Sequence, residues 1–113
     1  MIERLLSAER LLRYGMLDQA ESLFQSVADA EPRNSFAFVG LARVAAERGD
    51  NRTAHRLSAE AARLDPENGI AVALAARTAE LLAQAGTPIP AVPAEKPAAE
   101  RRGLLKRVLG RRT

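Results

Sequence analysis

Two stretches of the chain repeat one another at a spacing of 34 residues. We call this spacing the repeat period. Ala8 returns as Ala42, and the acidic Glu31 returns as the acidic Asp65. Three further pairs are small or helix-breaking residues: Gly15 with Gly49, Ala20 with Ala54, and Pro32 with Pro66. A fixed period of this length is typical of stacked-repeat proteins, in which each unit buries its apolar face against its neighbours. Such proteins usually bind partners and rarely catalyse, so the period predicts an architecture and a broad class of function.

The residues at the repeated positions resemble the tetratricopeptide repeat. In the first copy Ala8 takes the small site of the first helix, and Gly15 takes the turn. Ala20 and Phe24 give the Ala-x-x-x-Phe spacing of the second helix, and Pro32 closes the unit. The chain departs from the family pattern at several large-residue sites: Arg4 and Phe38 at the tryptophan site, Leu11 and Ala45 at the tyrosine site, and Ser58 at the second-helix aromatic site.

The resemblance implies an all-α fold of five helices, with antiparallel helix pairs in a short right-handed solenoid. It covers residues 1–85, divided into a first repeat (1–34), a second repeat (35–68) and a capping helix (69–85). Because a solenoid needs a terminal element over its last core face, the fifth helix is interpreted as that cap. The family serves many functions, so the fold alone names no partner.

Apolar periodicity and helix-ending residues predict helices near residues 2–14, 18–31, 36–48, 52–64 and 69–85. Gly15 is expected to end the first helix with a positive φ. The predicted N-caps are Asp18 with Glu21 as its capping-box partner, Asn34 or Ser35, Asp50 or Asn51, and Asn68. Ala20 and Ala54 are predicted to lie where paired helices approach closely. Four leucines are expected to be buried between helices: Leu6, Leu11, Leu41 and Leu74.

The end of the chain differs in composition from the repeats. Residues 86–98 form a Pro/Ala-rich linker, and residues 99–113 form a basic amphipathic tail that is expected to be flexible unless docked. Residues 1–87 carry 10 Lys+Arg and 12 Asp+Glu, a net charge of −2, whereas residues 88–113 carry 7 and 2, a net charge of +5. The sum is the +3 of the whole chain, so the basic excess belongs to the tail.

The tail could contact a surface through eight residues: Arg101, Arg102, Leu104, Leu105, Lys106, Arg107, Val108 and Leu109. One alternative is an end that only solubilises the protein. Others are binding to an anionic membrane, where basic and apolar residues act together, or docking to a protein partner or larger assembly. Nucleic acid is disfavoured as a partner, since the tail has no aromatic residue to stack on bases.

The resemblance also implies a partner-binding groove, lined by the first helix of each repeat. The predicted lining is largely apolar, with Arg43 and Arg77 as polar anchors: Ile2, Leu5, Glu9, Leu12, Phe36, Val39, Arg43, Ile70, Ala73, Arg77 and Leu81. An apolar groove suits an amphipathic helix or peptide as the partner. Whether Phe36 and Val39 are exposed or buried stays open, because Phe38 has the stronger claim to the core. Self-association through the same surface also stays open.

No catalytic, cofactor-binding or metal-binding residue is predicted. The single histidine, His55, has Ser58 one helical turn later, but a solvated histidine on a helix face is the favoured interpretation. The chain has no cysteine, which fits a reducing compartment, and no apolar stretch near the ~20 residues of a membrane span. We therefore expect a non-catalytic interaction scaffold or adaptor in the cytoplasm, with a peripheral membrane adaptor acting through the tail as the alternative.

Overall fold

The computed structural model describes residues 2–86, and in this range the chain forms five α-helices and no strand. The helices are α1 (Ile2–Arg13), α2 (Leu17–Ala30), α3 (Ser35–Glu47), α4 (Asn51–Leu64) and α5 (Gly69–Gln84). All five predicted helices are confirmed, and every predicted boundary is within one residue of the observed one. The predictions for the linker beyond residue 86 and for the tail at 99–113 lie outside the described residues.

Consecutive helices pack against one another, and α3 contacts α1 and α5 as well as its neighbours in sequence. The turns within the two pairs are built alike. Gly15 has a φ of 77° and Gly49 a φ of 81°, which glycine adopts without the strain that a Cβ would cause. The Met16 N–H donates to the Leu11 carbonyl, and the Asp50 N–H donates to the Ala45 carbonyl, each at 2.9 Å. These bonds close the helix ends in the Schellman pattern, and the two sets are one repeat period apart.

The turns between the pairs also share one construction. The Asn34 side chain accepts hydrogen bonds from the N–H groups of Phe36 and Ala37 at the start of α3. Asn68 accepts the corresponding bonds from Ile70 and Ala71 at the start of α5. Both asparagines satisfy backbone donors that a helix start leaves unpaired. The repeat period of the sequence is therefore also a period in hydrogen bonding.

The start of α2 differs from the prediction. The capping residue is Met16, which offers no side-chain acceptor, and Asp18 lies inside the first turn of the helix. The glycine turn at Gly15 leaves room for only one residue before α2, so the helix begins too early for Asp18 to cap it. Instead Asp18 and Glu21 both pair with Arg48 at the end of α3, where the Arg48–Glu21 distance is 2.9 Å. The predicted capping box is therefore wrong, and its acids tie α2 to α3.

Small residues form the closest helix contacts. Ala20 and Ala54 have no exposed surface, as predicted, and neither do Ala8 and Ala42 on the opposing helices. The Phe24 ring of α2 is also fully buried, and it lies against the backbone of Gly40 in α3. This fit of a ring on a glycine sets how closely the first pair can approach the second.

Among the four leucines expected in the core, Leu41 is buried, and Leu11 and Leu74 are partly buried. Leu6 is 58% exposed, so its predicted burial is wrong. The repeat explains the difference, because position 6 corresponds to position 40. Gly40 is covered by the preceding helix α2, and within residues 2–86 no helix precedes α1.

Candidate partner-binding groove

Three exposed apolar residues occupy equivalent positions on α1, α3 and α5. Ile2 is 67% exposed, Phe36 is 54% exposed and Ile70 is 58% exposed, and successive members are one repeat period apart. We call these three residues the apolar row. Short connections make neighbouring helices antiparallel, so α1, α3 and α5 run parallel to one another. Equivalent residues on the three helices therefore lie at the same height, along one side of the molecule.

A salt bridge establishes the register between α1 and α3. Nη1 of Arg43 lies 2.6 Å from Oε1 of Glu9, and positions 9 and 43 are again 34 residues apart. Both side chains are partly exposed, so the pair contributes mainly to positioning. The third equivalent residue, Arg77, makes only a loose contact with Glu80 of its own helix, at 3.7 Å. Of the two predicted polar anchors, Arg77 is thus the less engaged and Arg43 is already neutralised by Glu9.

A buried polar network joins the start of α3 to the start of α5, at the end of the molecule where the apolar row lies. The Ser35 hydroxyl donates to the Ala61 carbonyl of α4 at 2.9 Å and accepts from the Asn68 side-chain amide at 2.9 Å. Both Ser35 and Asn68 are buried. Since Asn68 also caps α5, this network fixes the start of that helix relative to Phe36, the next residue after Ser35. A partial signal for the network is present in the sequence, because Asn34 and Asn68 repeat, but Ser35 corresponds to Gly69 and has no counterpart.

The predicted groove residues do not all reach the surface. Leu5, Glu9, Arg43 and Leu81 are partly buried, and Ala73 and Arg77 are exposed. Leu12 and Val39 are buried, so their predicted place on the groove surface is not observed. Leu12 belongs to the core of the first pair, and Val39 packs with Ala61 and Ala71 between α3, α4 and α5. The open question at Phe36 and Val39 is thereby answered: Phe36 is exposed, Val39 is buried at 3%, and Phe38 is partly buried.

His55 is not a solvated histidine, contrary to the prediction. It is 8% exposed and lies between α4 and α5, where Nδ1 is 3.1 Å from the Ala75 carbonyl and 3.1 Å from the Thr78 hydroxyl. The nearby Ser58 hydroxyl donates to the backbone carbonyl of His55 and not to its ring. These contacts give the histidine a packing role at the α4–α5 interface. Across residues 2–86 no three His, Asp or Glu side chains are grouped as metal ligands.

A concave region lies over α3, between α2 and α4. It is a cleft of about 390 Å³ with Phe38, Leu41 and Leu57 in its lining. Its polar rim includes Glu21, Arg48, Asp50 and Arg56. The hydrogen bond from Arg48 to Glu21, with the attraction of Glu21 and Asp18, raises the pKa of the arginine. Most charged residues of the rim therefore make contacts within the fold.

No family model matches the chain, no curated protein matches its sequence, and no solved structure matches it. The apolar row and its neighbours are the features of this chain that indicate a groove. None of the five helices described is long and apolar enough to cross a membrane.

Proposed function

We propose that the protein is a tetratricopeptide-like, non-catalytic scaffold that binds an amphipathic helix or peptide across α1, α3 and α5. The observation that supports this most directly is the apolar row of Ile2, Phe36 and Ile70, each more than half exposed. An exposed apolar surface of this kind normally marks an interface. The short right-handed solenoid is part of the same proposal, and the recurrence of the turn hydrogen bonds at the repeat period supports it.

The geometry limits what kind of segment fits. Packed helices lie 8–10 Å apart, so the outer members of the row are separated by roughly 20 Å. An α-helix of about 13 residues spans that distance. The partner helix would place an apolar stripe on the row and an acidic residue near Arg77, which has only a loose partner.

The test compares two exposed aromatic residues. Phe36→Glu should abolish partner binding and leave the helix content unchanged, because it puts a charge on a surface that binding must desolvate. Tyr14→Glu is the matched control, since Tyr14 is 74% exposed but lies in the turn between α1 and α2. Partners captured by the unmodified protein would be shortened to the segment that binds. The affinity of that segment for the unmodified protein and for both variants would then be measured by calorimetry. Binding that survives in Phe36→Glu, or that is lost in Tyr14→Glu, would place the site elsewhere.

The alternative is a peripheral membrane adaptor, or a protein that docks to an assembly, through the basic tail. The observation in its favour is the net charge of +5 in residues 88–113 together with four apolar residues at 104, 105, 108 and 109. Binding to anionic vesicles that weakens steeply with salt would favour this function, because exposed charges are screened within ~8–10 Å at physiological ionic strength. No binding to anionic vesicles at low salt would reject the membrane form of it.

A further inference from the structure

One position of α5 is exposed although its equivalents in both earlier repeats are buried. Ala8 of α1 and Ala42 of α3 have no exposed surface, and each of these helices packs against the helix that follows it. The third residue of this series, Ala76 of α5, is exposed. Val72 is 46% exposed, whereas its equivalent Phe38 in α3 is partly buried and its equivalent Arg4 in α1 is exposed.

The side of α5 that carries Ala76 lies away from Ile70 and Arg77 of the groove surface. At 100° per residue Val72, Ala76 and Ala83 fall on one edge of α5, and Ile70 and Arg77 fall about 100–160° away. All five are exposed, and so are Glu80 and Ala73 between the two sets, so the exposed surface of α5 is one continuous arc with these sets at its two edges. We call Val72, Ala76 and Ala83 the open face. It is the place that the second helix of a third repeat would occupy.

The molecule itself shows what covers such a face. In α2 two apolar pairs follow one another at a spacing of four residues, Leu23–Phe24 and Val27–Ala28, and all four are buried or partly buried. In the chain beyond residue 86 the same spacing occurs at Leu104–Leu105 and Val108–Leu109. In this alignment Lys106 and Arg107 fall on the opposite side of the helix, where they would stay in water.

We propose that residues 99–113 pack as a sixth helix on the open face of α5 and complete a third helix pair. The twelve residues 87–98 can extend about 37 Å at ~3.1 Å per residue, more than the ~24 Å length of a 16-residue helix. The tail can therefore reach any point along α5, and the antiparallel orientation is proposed by analogy with α2 on α1. In this alignment Arg101 takes the position at which Ala20 and Ala54 make the closest helix contacts. The packing of the tail on α5 would therefore depend on its four apolar residues.

Tethering makes such docking possible for a segment too short to be a stable helix alone. A flexible link of this length holds the tail near the open face at an effective concentration in the millimolar range, so modest affinity is enough. The segment is expected to order only on contact, and the open face supplies that contact within the same chain. Ile70 and Arg77 lie at the far edge of the exposed arc from the open face.

The test uses the full chain, which has no cysteine and so accepts a single spin label. A nitroxide on Arg112→Cys should broaden the amide signals of α5, most strongly near Val72 and less near Ala83, and leave α1 unaffected. Leu105→Asp should remove the broadening. Lys106→Ala, which lowers the net charge by the same one unit but lies off the apolar side, should retain it.

Variants of α5 separate this proposal from the groove. Val72→Asp should remove the broadening, whereas Ile70→Asp should retain it and weaken partner binding in the groove instead. In a mixture of labelled and unlabelled protein, broadening of the α5 amide signals from one molecule by the label of another would assign the open face to a second copy. That result would overturn the proposal. No broadening of α5, or broadening that survives Leu105→Asp, would overturn it as well.

Discussion

At the scale of single residues, this fold depends on small side chains that let helices approach. Gly40 is the tightest point, because a Cβ built there would lie 2.2 Å from Cε1 of Phe24. The Phe24 ring is fully buried. The contact between α2 and α3 is therefore intolerant of one added carbon.

We predict that Gly40→Ala destabilises the protein by about 1–3 kcal/mol through overpacking. Urea unfolding followed by circular dichroism would measure the change. Gly69→Ala is the matched control, since nothing lies within 4 Å of a Cβ at the first residue of α5. That change should be neutral or slightly stabilising. Equal stability of the two variants would mean that the ring of Phe24 can move away from residue 40.

Ala54 provides a second test of close packing, at the interface of α3 and α4. Ala54→Leu adds three carbons at a position without exposed surface, and we expect a loss of about 1–3 kcal/mol. Ala30→Leu, at the exposed end of α2, should leave the thermal midpoint nearly unchanged. An unchanged midpoint in Ala54→Leu would contradict the burial of this side chain.

Several residues could be predicted from the sequence because they repeat. The alanines and the turn glycines recur at the repeat period, and each recurs in the same structural role. Phe24 and Gly40 do not recur, since the equivalent positions hold Ser58 and Leu74, with the large and small members exchanged. A period reveals what two units share. It cannot reveal a complementary pair that differs between units, and the roles of Gly40, Ser35 and His55 escape prediction for that reason.

At the scale of helices, the starts of the elements depend on their caps. Three helices begin after an asparagine or aspartate whose side chain accepts backbone hydrogen bonds: α3, α4 and α5. The cap of α4 is Asp50, which accepts from the Thr53 N–H at 3.1 Å. Hydrogen bonds from the Thr53 side chain and backbone, with the nearby Arg56 and Arg52, hold the pKa of this carboxyl below its ordinary value.

The lowered pKa of Asp50 makes stability depend on pH in a defined direction. The ionised cap stabilises the fold above the ordinary aspartate pKa of 3.8, and this contribution is lost as pH falls below it. Asp50→Asn keeps the capping oxygen but cannot be protonated in this range. As pH falls from 5 to about 2, the unfolding free energy of the unmodified protein should therefore decrease more than that of Asp50→Asn. Parallel pH curves for the two proteins would contradict the role of the charge.

At the scale of the whole molecule, the helices form a linear series with α3 in the middle. The helix α3 contacts all four others, whereas each of the other helices contacts two. Helix order and pairing could be predicted from the sequence, because they follow from the period and short turns. The exposure of the apolar row could be predicted only in part. Leu12 and Val39 are apolar as well, and they are buried only because other residues pack on them.

A linear series predicts a gradient of local stability. In such arrays each unit is stabilised mainly by its neighbours, so the ends open more easily than the middle. Amide hydrogen exchange should be slowest in α3, and faster in α1 and α5. Equal protection across α1, α3 and α5 would instead mean that residues 2–86 unfold as one cooperative unit.

The matching turns at Asn34 and Asn68 have a consequence for how the chain can change in length. Each turn ends one unit and starts the next with the same set of backbone hydrogen bonds. The segment 35–68 therefore begins and ends at interchangeable junctions. A duplicate of it would start and end with turn hydrogen bonds that the protein already makes, but Ser58 of one copy would face Gly40 of the next, so we expect extension by whole units to preserve the turns and to leave a gap at that contact.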